Sequence, residues 1–407
     1  MATSALTPVA VAQTLQSYTL ENVKSRNIEK KADVLIPRIE ITGTNVSRAD
    51  MERLVAPDLS QEARADIVMN MKAQRIFIPE VVISRNDEEK GRFVLRNYLV
   101  TNLDNARFDR ISLGSIEGTM TTKEAAEGTF KSGQITLEGG DFSKVAAAAK
   151  AGDPSDGVAK LRLFSWSGFE MTITEPKVLA SAPGGNSYRF GLKSATAKTD
   201  YSGDLPTKAI GSFDGMYFVA PPSSDVGKAL ADFGYNRVEF GVKFDGTYNP
   251  AARTFALDDY SFTGLNAGSL ALSGAFTNLD PSTFTNDTSN RLASLMKGRI
   301  AGLNLRYVDA GLFDKALVFF AKSQGKDPAA VRKEWSMMIV GMLPMLMGGD
   351  PVALKLSEAL SAFVTQPKSL AISLKGKSGP INIADFAKLM DPSFLLSQVE
   401  ITAVANR

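Results

Sequence analysis

The chain has 407 residues, 44% of them hydrophobic, which is enough for a large core and, by length, for two or three domains. A formal net charge of +2, with lysines and arginines scattered, gives no single-sign field favouring nucleic acid or an anionic surface. There is no cysteine and no histidine, so disulfides, thiolate nucleophiles, cysteine zinc sites and the usual general base near neutral pH are excluded, and any catalysis would fall to carboxylates, Lys, Tyr or Ser with Lys.

The chain opens on MATSALTPVAVAQTLQ. Ala10-Val11-Ala12 before Gln13 has the small-x-small form of a signal-peptidase site, behind a short uncharged apolar segment. Residues 1–12 are therefore expected to be the remnant of a signal peptide. The mature protein would begin near Gln13 and be exported to the periplasm. The alternative is an Ala/Thr/Pro leader without structure.

Strand patterns dominate from there on. RIEIT places Ile39 and Ile41 on one face. RIFIPEVVIS and RFVLRNYLV flank the charged turn NDEEKG, a hairpin pattern. FEMTIT aligns Phe169, Met171 and Ile173. RVEFGVKFDGTYN alternates Val238, Phe240, Val242 and Phe244 against Glu239, Lys243 and Asp245. RTFALDDYSFTG follows a turn, and its apolar phase slips by one at Asp258-Asp259, which predicts a bulge. SLALSGAF completes a three-stranded meander over 237–277. GLNLRY and SLAISL repeat the strand pattern later in the chain. One polar face per strand favours antiparallel pairing.

Helices are expected toward the C-terminus. Asp-Pro at 153, 280, 327, 350 and 391 supplies a capping carboxylate and a proline suited to the first turn. Residues 311–323 carry the stripe Leu312, Phe313, Ala316, Leu317 and Phe320. The stretch after Pro351 carries Val352, Leu356, Ala359, Leu360 and Phe363. A strand-then-helix unit recurs at RIEITGTNVSRADMERL, GLNLRYVDAGLFDKALVFF and INIADFAKLMDP. Ala220-Pro221-Pro222-Ser223-Ser224 suggests a linker. The expected division is a β-rich lobe over 13–222 and a meander with helices over 223–407, or one continuous domain. The fold class expected is α+β and β-dominated: extended, curved antiparallel sheet with helices mainly on one side.

WSMMIVGMLPMLMGGDP is the most unusual stretch. It holds Met337, Met338, Met342, Met345 and Met347, five of the 14 methionines, and no charge until Asp350. Trp335 to Met347 would reach about 20 Å as a helix. A bilayer core is about 30 Å thick, and Pro344 and Gly348-Gly349 are expected to end the helix, so a transmembrane span is not expected. A helix apolar all round must be buried or face an apolar partner. The first expectation is a central helix plugging a sheet-lined core. The other is a surface for an apolar ligand or a membrane, formed by Trp335, Met337, Met338, Ile339, Met342, Leu343, Met345 and Met347, because methionine adapts to varied apolar shapes.

No motif carries a convincing chemistry. Ser323-Gln324-Gly325-Lys326 has the spacing of serine-lysine acyl enzymes, but it reads as a helix end and the next cap. Asp245, Asp258 and Asp259 could pair as carboxylates or hold calcium, yet read as a solvated bulge. Gly184-Gly185 reads as a turn. Asn45-Val46-Ser47 and Asn286-Asp287-Thr288 match the N-glycosylation pattern, which matters only in a eukaryotic secretory route. No catalytic, cofactor-binding or metal residues are assigned.

YSFTGLNAGSLALSGAFTNL, LRYVDAGLFDKALVFFAKSQGKD and KSLAISLKGKSGPINIADFAKLM resemble, in texture, envelope proteins of Gram-negative bacteria and, more distantly, the AsmA-type and tubular lipid-binding groups. The resemblance covers the second half of the chain. It implies a long curved sheet around an apolar groove and a role in holding or moving lipid; separately, no cofactor is expected. Two functions are then expected: a non-enzymatic periplasmic protein that binds a lipid or other apolar ligand, or a structural or adaptor protein acting through contacts with an envelope protein. A ligand cavity separates the two. Neither reading involves nucleic acid.

Overall fold

The computed structural model describes residues 15–27, 32–55, 66–67, 69–86, 89–150, 159–176, 187–284 and 288–407. The signal remnant 1–12, Asp153-Pro154, Gly184-Gly185 and Asn286-Asp287 lie outside these residues.

Among the described residues, twenty strands form one sheet. β1 (Gln16–Asn27), β2 (Ala32–Thr44), β3 (Lys72–Asn86) and β4 (Lys90–Asp104) each run antiparallel to the one before. The next four passes are each broken in two. They are β5 (Arg107–Leu113) with β6 (Ser115–Thr121), β7 (Glu127–Ser132) with β8 (Ile135–Asp141), β9 (Lys160–Trp166) with β10 (Phe169–Thr174), and β11 (Ser187–Leu192) with β12 (Ser194–Ser202). Unbroken strands resume with β13 (Leu205–Val219), β14 (Val238–Asn249), β15 (Thr254–Gly264), β16 (Gly268–Thr277) and β17 (Arg299–Asp309). β18 (Ser369–Gly376) and the two-residue β19 (Ile381–Asn382) share the edge of β17, and β20 (Val399–Ala405) lies along β18. Spatial order therefore follows chain order, an antiparallel meander built from neighbouring hairpins.

The breaks in the four divided passes line up. The Gly114 N–H donates to the Arg96 carbonyl, the Gly133 N–H to the Gly168 carbonyl and the Lys193 N–H to the Asp214 carbonyl, at 2.9, 2.9 and 3.0 Å. The line continues through left-handed backbone at Asn97 (φ 57) on β4, Gly215 (φ 61) on β13 and Asn22 (φ 54) on β1. Pro37 and Pro79, which lack the N–H for a ladder bond, occupy it on β2 and β3. Asn and Gly tolerate this backbone region, and irregularities of this kind bend a sheet and increase its twist. At Gly168 (φ +90) a Cβ would lie 2.2 Å from the Leu192 carbonyl oxygen, so the bend there depends on glycine.

The helices are insertions between strands. α1 (Arg48–Val55), α2 (Ser143–Lys150) and α3 (Asp225–Asp232) are single short segments. α4 (Thr288–Lys297) precedes β17. α5 (Leu312–Ser323), α6 (Pro328–Leu346) and α7 (Pro351–Thr365) all lie between β17 and β18, and α8 (Pro392–Gln398) precedes β20. Asp327 and Asp350 cap α6 and α7, accepting from the N–H groups of Ala330 (3.1 Å) and Val352 (2.8 Å), as the Asp-Pro pairs predict. Asp280-Pro281 instead opens a 3-10 turn over Pro281–Phe284, and the recurring unit at 381–392 folds as β19 with a 3-10 segment over Ile383–Met390. The fold is thus α+β and β-dominated, with most of its helix in the C-terminal half.

Strands β13 and β14 pair across residue 222, from Lys208 opposite Thr247 to Phe218 opposite Val238, so the sheet is continuous there. Ala220–Ser224 is a tight turn. The buried Ser224 hydroxyl donates to the Pro221 carbonyl (2.8 Å) and accepts from the Gly227 N–H (3.0 Å), capping α3.

The expected core helix is corrected by the structure. α6 starts at Pro328 and runs through Pro344 to Leu346, so the proline sits inside the helix and does not end it. Its packing partners are α5 and α7, and most of its apolar side chains face outward. Pro344 has no N–H to pair with the Val340 carbonyl, so α6 carries it with the loss of one internal hydrogen bond.

Candidate functional site

Alternation on each strand makes one apolar face per strand, but register decides whether those faces join. Here they do. Tyr18, Ile41, Ile76, Val100, Ile111, Leu137 and Phe164 stand opposite one another from β1 through β9. The row continues through Ala197, Gly211, Phe244, Tyr260, Leu272, Leu305, Ile372 and Ala403 to β20. A second row beside it runs from Leu113 and Ile135 through Trp166, Ala195, Phe213, Val242, Phe262, Leu270, Tyr307 and Leu370 to Ala405. The expected bulge at Asp258 keeps the rows in phase, because Gly246 pairs with Leu257 while Asp245 pairs with Asp259. Without that extra residue, one end of β15 would turn its apolar side chains to the other face.

Cover on this face is uneven. At the β1 end, Leu20, Ile39 and Ile41 are each only 2% exposed, and Met51 of α1 packs with them. At the β18 end, Phe363 of α7 meets Tyr307 edge-on at 5.7 Å. The Tyr307 hydroxyl donates to Asp309 Oδ1 at 2.7 Å, and burial, reinforced by that carboxylate, pushes its phenol well above the usual range. Between these ends the face is open. Phe213, Tyr260, Phe262, Leu270 and Leu305 are exposed, Tyr260 by half. Phe240 and Phe262 stack with ring centroids 5.2 Å apart on this face.

The opposite face is charged. Arg75 hydrogen-bonds Glu40 (3.1 Å) and holds its carboxyl below the usual range, and Arg96 pairs with Glu117 (3.0 Å). Asp245 and Asp259 stand opposite each other there, but each has its own neighbour: Lys208 Nζ lies 3.9 Å from Asp245, and the Ser261 hydroxyl donates to Asp259 at 3.2 Å. Among the described residues, no cluster of three acidic side chains is placed to hold a metal ion. Ser323 donates to the Phe320 carbonyl (2.7 Å) at the end of α5, and Lys326 pairs with Glu334 (2.8 Å), as a helix end and turn require. Asn45 does not offer a free acceptor for a glycan. Its amide donates to the Asn70 carbonyl (2.9 Å) and accepts from the Lys72 N–H (2.7 Å).

The residues predicted as an apolar-ligand surface all lie on or next to α6 and divide between exposed and packed positions. Met337, Met338, Met342 and Met345 are exposed on α6, Met345 by 75%, while Ile339 and Leu343 are half-buried. Met347 is buried, which corrects its place in that set. Trp335 is committed to packing, with its ring 5.2 Å from Phe320 and 6.1 Å from Phe313. The open floor formed by Phe213, Tyr260, Phe262, Leu270 and Leu305 is absent from the predicted set. The alternation of β14 to β16 signalled it in part, but its alignment with β13 and β17 depends on pairings far apart in sequence.

A family profile described as an uncharacterized protein matches residues 261–406, from the middle of β15 through β20. No curated protein matches the chain. No helix among the described residues is long and apolar enough to cross a membrane.

Proposed function

We propose that the protein holds an apolar, chain-like molecule such as a lipid along the open part of the sheet face, without chemical turnover, in the periplasm of a Gram-negative cell. The observation that carries this reading is the pair of apolar rows left uncovered between Phe213 and Leu305. Soluble monomers seldom expose a contiguous apolar patch without a use for it. An elongated apolar floor with no enclosing polar groups suits acyl chains, whose binding is non-directional and grows with the area covered. The AsmA-type resemblance points the same way. The chain's lack of histidine and cysteine supports a non-enzymatic role.

The test is native mass spectrometry with organic extraction on protein purified from its own periplasm. A co-purifying lipid mass is expected. It should be lost in a Phe262→Asp, Leu270→Asp variant that keeps the wild-type melting temperature, since the two side chains are cross-strand neighbours on an exposed surface. A clean apo mass for the wild type would turn the assignment toward an adaptor that works through protein contacts.

A further inference from the structure

The α6–α7 hairpin presents a second apolar surface that the sheet face does not absorb. Six large apolar side chains of α6 are exposed: Met337, Met338, Val340, Met342, Met345 and Leu346. At 100° per residue they span an arc of about 240° around the helix. A helix that docks in a protein groove needs an apolar stripe of roughly 100°. The three nearest the turn, Met342, Met345 and Leu346, together with Leu354 of α7 leave the hairpin tip apolar on both of its helices, whereas a helix docked in a groove offers one stripe.

Charge placement agrees. No charged residue occurs from Ser336 through Gly349. Gly348 (φ 66) and Gly349 (φ 76) make the turn, and Leu354 continues the apolar surface on α7. The two helices are tied by the Ser336 and Ser361 hydroxyls at 2.6 Å. The exposed Lys355 lies one turn into α7, about 6 Å along the axis from Pro351. Lys333, also exposed, lies farther back, while Lys326 and Arg332 are engaged by Glu334 and Asp314. Asp350, in the turn itself, is half-buried and caps α7 by accepting from the Val352 N–H, and an apolar tip about 6 Å deep with Lys355 behind it matches the 5–10 Å to which interfacial helices enter the headgroup and acyl boundary. Long lysine stems can keep their ammonium groups at the phosphates.

We infer that the tip of the α6–α7 hairpin inserts into one leaflet of a lipid bilayer, with Lys355 facing anionic headgroups. This stands beside the sheet-face reading and can fail separately from it.

Flotation of the full chain with vesicles tests it. Vesicles of phosphatidylethanolamine with phosphatidylglycerol should carry the protein upward, and vesicles of phosphatidylcholine alone should do so less. Met345→Asp with Leu346→Asp should lower the partitioning by about tenfold or more, the size expected for charge placed at an acyl boundary. Leu292→Asp, at another exposed apolar position, should not. Because the chain lacks cysteine, Met345→Cys accepts a single environment-sensitive fluorophore. Its emission should shift to the blue on vesicle binding and be quenched by lipids labelled in the acyl chain. That readout needs no charged substitution, so it holds even if the double variant misfolds. Wild-type protein that stays unbound to both vesicles, or a fluorophore at position 345 that remains in water on bound protein, overturns the inference. Loss of self-association on Met345→Asp, without vesicle binding, would make the tip a protein interface and overturns it equally. Retention of extracted lipid by the tip variant would show that the sheet face works on its own.

Discussion

The β1 end and the middle of the sheet carry the same apolar row, yet one is covered and the other is not. Ile41 and Tyr260 belong to a single line of cross-strand neighbours, with exposures of 2% and 50%. The difference comes from what the connections between strands supply. The β2–β3 connection contains α1, which lays Met51 against Leu20 and Ile39. The links from β14 to β15 and from β15 to β16 are tight turns that can cover nothing. Alternation makes an apolar face, and insertions decide whether that face becomes core or stays available.

The largest test of this contrast is Ile41→Ala, which should cost about 2–5 kcal/mol in denaturant unfolding, as deletion of a fully buried side chain does. Since β13 and β14 pair directly, the loss should appear in one cooperative transition. Two separate transitions would break the comparison by making the two regions independent. Ser224→Ala removes the buried cap of α3 and should cost about 1 kcal/mol, read as a lower denaturation midpoint. Phe262→Ser, in the open region, should change stability by only about 0.5 kcal/mol or less while reducing lipid retention. A large destabilisation there would mean that the face is covered in solution.

The smallest effect concerns acid. Hydrogen bonds from Lys144 and Lys160 hold the Asp204 carboxyl at about 2, against 3.8 ordinarily. A depressed carboxylate contributes stability that is present above the ordinary value and lost as pH falls toward 2. Melting temperature should therefore fall between about pH 4 and pH 2, and Asp204→Asn should flatten that slope.

Much of the fold was legible because it is local. The alternation in RVEFGVKFDG, the phase slip at Asp258-Asp259 and the Asp-Pro pairs at 327 and 350 each act within a few residues, and the strands, the bulge and the capped helices follow them. The Met-rich segment was read as helix for the same reason. Its burial was not legible, because a run of apolar residues is compatible with any apolar surroundings and says nothing about which ones it finds.

What the sequence determined alone is a subset of the strands with their apolar faces, the capped C-terminal helices, and the chemistry the chain lacks: with no histidine or cysteine, no structure could supply those groups. Only the tertiary structure decided that the faces align into continuous rows, that their middle stays open, and that α6 packs on α5 and α7 with its methionines outward. Those outcomes depend on register between strands distant in sequence and on where inserted helices come to rest. Packing of the whole chain settles them, and no local pattern encodes them.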